Sequence, residues 1–161
     1  MFTVRSMRKG DFPVVSQLNR ECFPKDNSTL SDAREWISAS WRAAPRTSYF
    51  VLEDEQGQVI GYILWLEKGG FRKEAVLGLE QIAVAVSSRG KGAGRLLVTK
   101  SLEWLKDGLA LQERTLKLVE VTTGTTNEAQ RLYESTLGAV VVATISDLYA
   151  GDEVIMVARN P

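Results

Sequence analysis

A chain of 161 residues has the length of one domain and can bury a hydrophobic core without disulfides or metals to support it. Its 20 basic and 20 acidic residues balance, which argues against nucleic acid or an anionic membrane surface as a partner. With one cysteine and no histidine, the chain has neither an internal disulfide nor a zinc site of the usual kind, and catalysis by histidine-based triads is excluded.

The sequence also bears on location. The first residues lack the apolar core of a signal peptide, and no stretch approaches the length that crosses a bilayer. No repeat, low-complexity tract or linker divides the chain. We therefore expect a single cytoplasmic domain over residues 1–161, with no membrane segment and no metal.

The first part of the chain alternates strand and helix patterns. Residues 2–7 alternate as a short strand, and Asp11 is placed to cap a helix whose apolar residues recur at helical spacing. Asp32, with an acid three residues later, has the pattern of a capping box that opens a second helix. Residues 49–53 and 59–66 flank a turn-like sequence and predict an antiparallel hairpin.

The middle part predicts a crossover between parallel strands. Residues 77–86 form an apolar strand pattern, and the stretch SSRGKGAG separates it from a run at helical spacing that begins at Gly94. Residues 115–121 form the next strand pattern. A strand, a helix and a second strand in this order favour a parallel pair.

The last part predicts one helix and two strands. Residues 127–136 have helical spacing and are followed by Gly138, a residue type that commonly ends helices. Strand patterns follow at residues 140–145 and 154–158.

The glycine-rich loop is the strongest candidate for a binding site. Glycines let a backbone approach a ligand closely, and the first amides of a helix lack intrahelical partners, so this end attracts anions. Arg89, Lys91 and Arg95 add positive charge. The alternative is a solvated basic turn without a ligand. A P-loop is excluded because Gly92 stands where it needs Ser or Thr, and the single crossover argues against a dinucleotide fold.

Two segments together resemble a known family. Ile82-Ala83-Val84, followed after four residues by Arg89-Gly90-Lys91-Gly92-Ala93-Gly94, is similar to the acetyl-CoA signature of the GNAT N-acetyltransferases. Downstream, Asn127-Glu128-Ala129-Gln130-Arg131-Leu132-Tyr133-Glu134 with Leu137-Gly138-Ala139 is similar to a second segment of that family. The chain departs from the family pattern at Val86, where proline is frequent, and at Ala139, where an aromatic residue is usual. In element order, the resemblance covers nearly the whole chain.

The resemblance implies a fold and a donor. The fold is α/β (α+β), with a mixed, mostly antiparallel seven-stranded sheet, a central parallel pair and about four helices. The donor is acetyl-CoA, whose pantetheine pairs with a strand that splays at its end and whose pyrophosphate contacts the loop amides. A backbone amide near Val84 polarises the thioester carbonyl. The residues implied to bind the donor are Ile82, Ala83, Val84, Arg89, Gly90, Lys91, Gly92, Ala93, Gly94, Arg95 and Asn127.

The implied reaction is direct attack of a primary amine on the acetyl thioester in a ternary complex. The acceptor is a small-molecule amine or a peptide N-terminus. Residues 118–121 and 149–156 favour the branch that acetylates ribosomal proteins and protein N-termini. No nucleic acid or membrane partner is expected, and a homodimer is left open.

Three residues are candidates for the two proton transfers. Glu80 and Glu120 each place a carboxylate within an apolar strand pattern, and they are alternatives for the base that takes the amine proton. Tyr133 is the candidate acid for the departing CoA thiolate. Each has a structural alternative, since either glutamate can face solvent or a cation and the tyrosine can pack in the core. Asn127 can likewise cap its helix, with Gln130 completing a capping box.

Two other function classes stay open. One is a non-catalytic CoA-binding module on the same fold. The other is a nucleotide-binding oxidoreductase, because Glu120 lies on the strand after the loop, where a ribose-binding acid is found in dinucleotide folds.

Overall fold

The computed structural model describes every residue, Met1–Pro161. Its seven strands are β1 (Thr3–Ser6), β2 (Thr47–Glu53), β3 (Val59–Lys68), β4 (Glu74–Val84), β5 (Thr115–Gly124), β6 (Val140–Ile145) and β7 (Glu153–Arg159). Its four α-helices are α1 (Phe12–Cys22), α2 (Leu30–Arg42), α3 (Ala93–Leu111) and α4 (Ala129–Leu137). The strands form one sheet in the order β1-β2-β3-β4-β5-β7-β6, in which β4 and β5 are parallel. The predicted mixed fold with a central parallel pair is confirmed.

The chain divides into two compact units, of which the first comprises Met1–Trp65 and Gln81–Ser101. Its core joins side chains of α1 and α2 to those of β2, β3 and the end of β4. The members are Met7, Val15, Leu18, Ile37, Tyr49, Val51, Tyr62, Leu64 and Ala83. Full burial of a large apolar side chain contributes roughly 1.5–3 kcal/mol, so this cluster stabilises the first unit.

The second unit comprises Leu66–Glu80 and Leu102–Pro161. Its central strand is β5, which pairs in parallel with β4 and antiparallel with β7. The side chains of Val119 and Val121 on β5 and of Met156 on β7 are buried, and α4 packs on β5. The expectation of one domain stays a prediction. No helix of the chain is both long enough and apolar enough to cross a membrane.

Two helix starts differ from the prediction. α2 is capped by Thr29, whose hydroxyl accepts a hydrogen bond from the amide of Asp32, while the Asp32 carboxylate accepts one from the Thr29 amide. Asp32 is therefore the second member of the capping box rather than its first. Asp11 stands at the start of α1 but caps no helix amide. Its carboxylate instead binds Arg5 at 2.7 and 3.0 Å, and this guanidinium holds the pKa of Asp11 below its usual range.

Gly61 lies where β3 closely approaches the backbone at the end of β4. A Cβ at this position would be 2.8 Å from the carbonyl oxygen of Ala83 and 3.3 Å from Cδ1 of Leu97. Because the nearer atom belongs to the backbone, a side-chain rotation cannot relieve the contact.

We expect Gly61→Ala to lower the free energy of unfolding by about 1–3 kcal/mol, the usual cost of overpacking a core. Urea denaturation measures this change. Gly108→Ala is the matched control, because Gly108 lies in α3 with no atom within 4 Å of an added Cβ. It should raise stability by up to about 1 kcal/mol, since alanine favours helix. An unchanged free energy in the Gly61 variant would contradict the close approach of the two strands.

Candidate functional site

The parallel pair is open at one end. β4 and β5 are in register from Glu74 and Thr115 as far as Gly78 and Glu120, where the pairing stops. β5 continues to pair with β7 up to Gly124, so its remaining residues are held from the other side. The rest of β4, including the predicted donor-binding residues 82–84, has no pairing with β5.

Strand geometry determines which backbone groups of β4 face the open side. The amide of Ala85 donates to the carbonyl of Ile60 on β3 at 2.8 Å. Backbone groups of successive residues point to opposite edges of a strand, so the amides of Ile82 and Val84 point away from β3. These two amides are therefore available to an extended ligand that pairs with the strand.

The glycine-rich loop is shaped by its backbone. Gly90 and Gly92 have φ angles of 72° and 82°, a region that favours glycine, and no atom lies within 4 Å of a Cβ built on either. The amides of residues 90–94 donate to no backbone carbonyl, and the first amide to do so is that of Leu96, which bonds to Gly92 at 3.0 Å. Because α3 begins at Ala93, these amides lie at the positive end of a helix dipole. The loop therefore fits a phosphate-bearing ligand.

Two cations of the loop contact its own backbone. The guanidinium of Arg89 donates through Nε to the Val84 carbonyl at 2.9 Å, and Lys91 Nζ donates to the Ser87 carbonyl at 2.9 Å. Both side chains are exposed and keep their charge near the loop, as does the exposed Arg95. The Val84 carbonyl thus already accepts a hydrogen bond from within the chain, which favours the Val84 amide for the predicted contact with pantetheine.

The two candidate bases have different surroundings. The Glu80 side chain is exposed in the middle of β4, whose neighbouring residues are mostly buried. Glu120 is half-buried and forms an ion pair with Lys68, with Oε1 2.8 Å from Nζ. Gly78, the register partner of Glu120, lies beneath this pair, since a Cβ on Gly78 would be 2.8 Å from Cε of Lys68. The same Cβ would be 3.4 Å from Oε1 of Glu80, so these groups form one charged cluster.

Tyr133 is buried within α4, at 5% exposure. Desolvation by burial raises its pKa to about 12. The phenol is therefore neutral at pH 7 and holds a proton that it can donate. Burial is consistent both with a packing role in the core and with a role as general acid. The assignment of Tyr133 as the acid stays a prediction.

Asn127 and Gln130 do not form a capping box, which was the predicted alternative to a donor-binding role for Asn127. The Asn127 side-chain oxygen accepts a hydrogen bond from the Ala129 amide at 2.9 Å, which shapes the turn before α4. Gln130 Nε2 donates to the carbonyls of Gly124 and Thr125, both at 3.0 Å. The two side chains thus fix the connection from β5 to α4 separately, and a donor-binding role for Asn127 stays a prediction.

The predicted residues fall into two groups. The donor-binding residues 82–84 and 89–95 belong to the first unit, whereas Glu80, Glu120 and Tyr133 belong to the second, as does Asn127. The structure pairs Glu120 with Lys68 and places Glu80 and Lys68 on the same side of Gly78. No group of three or more Cys, Asp or Glu side chains is arranged to hold a metal ion.

Sequence reasoning missed Lys68 and Gly78. One signal was available, because a glycine within an apolar strand often marks a place where another group approaches closely. Gly78 is such a glycine, and the group that approaches is the Lys68 side chain. The partner of Lys68 could not be read from the sequence, since Glu120 lies 52 residues further along the chain.

Comparisons with known proteins identify a family and a fold. The model of the acetyltransferase (GNAT) family matches residues 12–139. Among solved structures, the chain is similar to the spermidine N-acetyltransferase of Vibrio cholerae in complex with CoA and spermine, at 22% identity and a TM-score of 0.76, over 99% of this chain and 95% of that one. It is also similar to a dodecameric structure of spermidine N-acetyltransferase from Vibrio cholerae in an intermediate state, at 22% identity and a TM-score of 0.74, over 99% and 94% of the two chains. A search of curated proteins finds no match.

We expect Gly92→Glu to abolish binding of CoA, because a side chain and a negative charge would enter the space above the loop amides. Gly57→Glu is the matched control, since Gly57 has a φ of 75° and equally open surroundings but lies in the turn between β2 and β3. Titration calorimetry on both variants measures the effect, with circular dichroism to verify folding. Unchanged CoA affinity in a folded Gly92→Glu protein would remove the loop from the site.

Proposed function

The chain belongs to the acetyltransferase (GNAT) family, and on this premise we propose that it transfers the acetyl group of acetyl-CoA to a small cationic primary amine. The observation that carries the proposal is the parallel pair that opens after Gly78, followed in the chain by a loop of unpaired amides before α3. An extended thioester with a pyrophosphate at one end matches both features.

Acetyl-CoA supplies an acetyl group activated as a thioester. The amides of residues 90–94 bind its pyrophosphate, with Lys91 and Arg95 adding charge. The amides of Ile82 and Val84 face the open edge of β4, where they pair with the pantetheine amides and polarise the thioester carbonyl. Arg89 holds the Val84 carbonyl and thereby fixes the backbone at this point.

Glu80 is the group that takes the proton of the acceptor amine. An amine is charged at neutral pH and must lose a proton before it can attack. The Glu80 carboxylate is exposed and lies outside the ion pair between Lys68 and Glu120. It can therefore receive a proton without breaking an existing contact. Tyr133 holds its proton in the buried phenol and donates it to the departing thiolate.

The charge of the cluster supports a cationic acceptor. Glu80, Glu120 and Lys68 contribute two negative charges and one positive charge, so one negative charge is left uncompensated. An ammonium group entering beside Glu80 neutralises it. Spermidine is the first acceptor to test, because the similar structures are of spermidine N-acetyltransferases. The expected branch for ribosomal proteins and protein N-termini finds no support in these comparisons. A homodimer stays a prediction.

An activity assay tests the proposal. The protein is incubated with acetyl-CoA and a panel of amines that includes spermidine, a free amino acid and a peptide with an open N-terminus. Thiol release and the mass of the product are measured. We expect the polyamine product to be heavier than the substrate by one acetyl group, and one thiol to be released for each acetyl group transferred. Thermal stabilisation by acetyl-CoA with no product on any amine would favour the non-catalytic module.

The same samples test the alternative of a nucleotide-binding oxidoreductase. A ligand present at about 100 times its dissociation constant stabilises a protein by roughly 2.7 kcal/mol, which is readily seen as a thermal shift. We expect acetyl-CoA to produce this shift and NAD to produce none. The reverse pattern would overturn the proposed function.

We expect Tyr133→Phe to lower kcat by roughly 10²-fold, because general acid catalysis contributes about 10²–10⁴-fold and a thiolate leaves readily even unassisted. The ring and its packing remain, so acetyl-CoA affinity and melting temperature should change little. Tyr149→Phe is the matched control, since that phenol is 76% exposed. Turnover of Tyr133→Phe equal to that of the wild type would assign Tyr133 to the core alone.

A further inference from the structure

The Lys68 side chain crosses β4 to reach β5. Lys68 is the last residue of β3, and its Nζ lies 2.8 Å from Glu120 Oε1 on β5. Between them stands Gly78 of β4, over which the aliphatic stem passes so closely that an added Cβ would be 2.8 Å from Cε and 3.6 Å from Nζ. The crossing is possible because position 78 has no side chain.

Glu80 lies on the same face as this crossing. It follows Gly78 by two residues on β4, and side chains two apart point to the same face of a strand. Its Oε1 lies 3.4 Å from the position of the Gly78 Cβ. Glu80 and Glu120 thus lie on one face of the sheet, and the ammonium group of Lys68 pairs with Glu120.

We propose that Lys68 is a positioning residue that withdraws Glu120 from proton transfer and so leaves Glu80 as the base. This inference rests on the proposed acetyl transfer to an amine. The ion pair occupies Oε1 of Glu120 and fixes its carboxylate on β5. Proton uptake by Glu120 would discharge the pair and leave a half-buried ammonium without its partner. Glu80 has no such contact to lose.

The proposal predicts that breaking the crossing recruits Glu120. In a protein that lacks Glu80, a Glu120 carboxylate released from Lys68 can accept the amine proton in its place. Loss of a base costs about 10²–10⁴-fold in rate, so even partial replacement is measurable. If the ion pair had only a structural role, its removal would lower the stability of the protein that lacks Glu80 and would not raise its activity.

The experiment measures kcat for acetylation of spermidine by a set of variants, with melting temperatures to verify folding. We expect Glu80→Gln to lower kcat by about 10²-fold. Adding Lys68→Met to Glu80→Gln should then raise kcat by about tenfold, on the same scale of general base catalysis. Adding Glu120→Gln to that pair should abolish the gain, which identifies Glu120 as its source.

A second route to the same state uses Gly78. Gly78→Ala places a methyl group where the stem of Lys68 passes, and the flexible end of the lysine must move away. Combined with Glu80→Gln, it should restore kcat as Lys68→Met does, with the lysine still present. This pair keeps the proposal testable if the methionine variant does not fold.

Two controls separate positioning from a general effect of charge. Lys68→Arg keeps a cation that can bind Glu120, so with Glu80→Gln it should give no recovery. Lys117→Met removes a lysine of β5 that pairs with Glu74 of β4 at 3.7 Å at an exposed position. With Glu80→Gln it should also give no recovery.

The outcomes distinguish failure of the proposed function from failure of the inference about Lys68. Inactivity of the wild-type protein towards every amine overturns the proposed function and the inference with it. An active wild type in which Glu80→Gln has no effect, or in which neither Lys68→Met nor Gly78→Ala restores the Glu80 variant, overturns the inference alone.

Discussion

The pairing of β4 with β5 stops at Gly78 and Glu120, and this interruption organises the rest of the molecule. Backbone groups in a sheet need partners, and a parallel pair that opens within a sheet leaves a row of them unsatisfied. The amides of Ile82 and Val84 on β4 lie on that row, and the glycine loop that follows adds further amides without partners. A thioester donor with amide groups along its length and a pyrophosphate at its end supplies hydrogen-bond acceptors for the end of β4 and for the glycine loop. Backbone geometry, more than any single side chain, therefore specifies the donor.

The proposed acid and base suit a chain that has no histidine. In the proposed mechanism, proton transfer falls to the exposed carboxylate of Glu80 and to Tyr133, whose pKa is raised by burial. These groups are weaker catalysts than a well-placed imidazole at neutral pH, but the thioester is already activated and its thiolate leaves readily. The demands on the protein are then mainly those of orientation. In the proposed mechanism, the ion pair that crosses β4 over Gly78 contributes to that orientation.

Much of the fold and of the donor site could be predicted from the sequence, because both depend on local patterns. Apolar periodicity located the strands and helices, and the glycines of the loop marked a backbone that takes positive φ angles at Gly90 and Gly92. The errors concern partners rather than elements. Asp11 has the side chain of a helix cap, yet its carboxylate binds Arg5, and the ion pair of Lys68 with Glu120 depends on the register of three strands. Register is set by packing across the whole sheet, which no local pattern reports.

Hydrogen exchange tests the central claim most directly, because that claim concerns backbone amides. Exchange is followed with and without saturating acetyl-CoA, and peptides covering the end of β4 and the start of α3 are compared with those covering β6. The account predicts that acetyl-CoA slows exchange at Ile82, Val84 and residues 90–94 and leaves β6 unchanged, since the former amides are the predicted donor contacts and β6 contributes none. Binding of acetyl-CoA without protection at these amides, or with protection centred on β6, would contradict it.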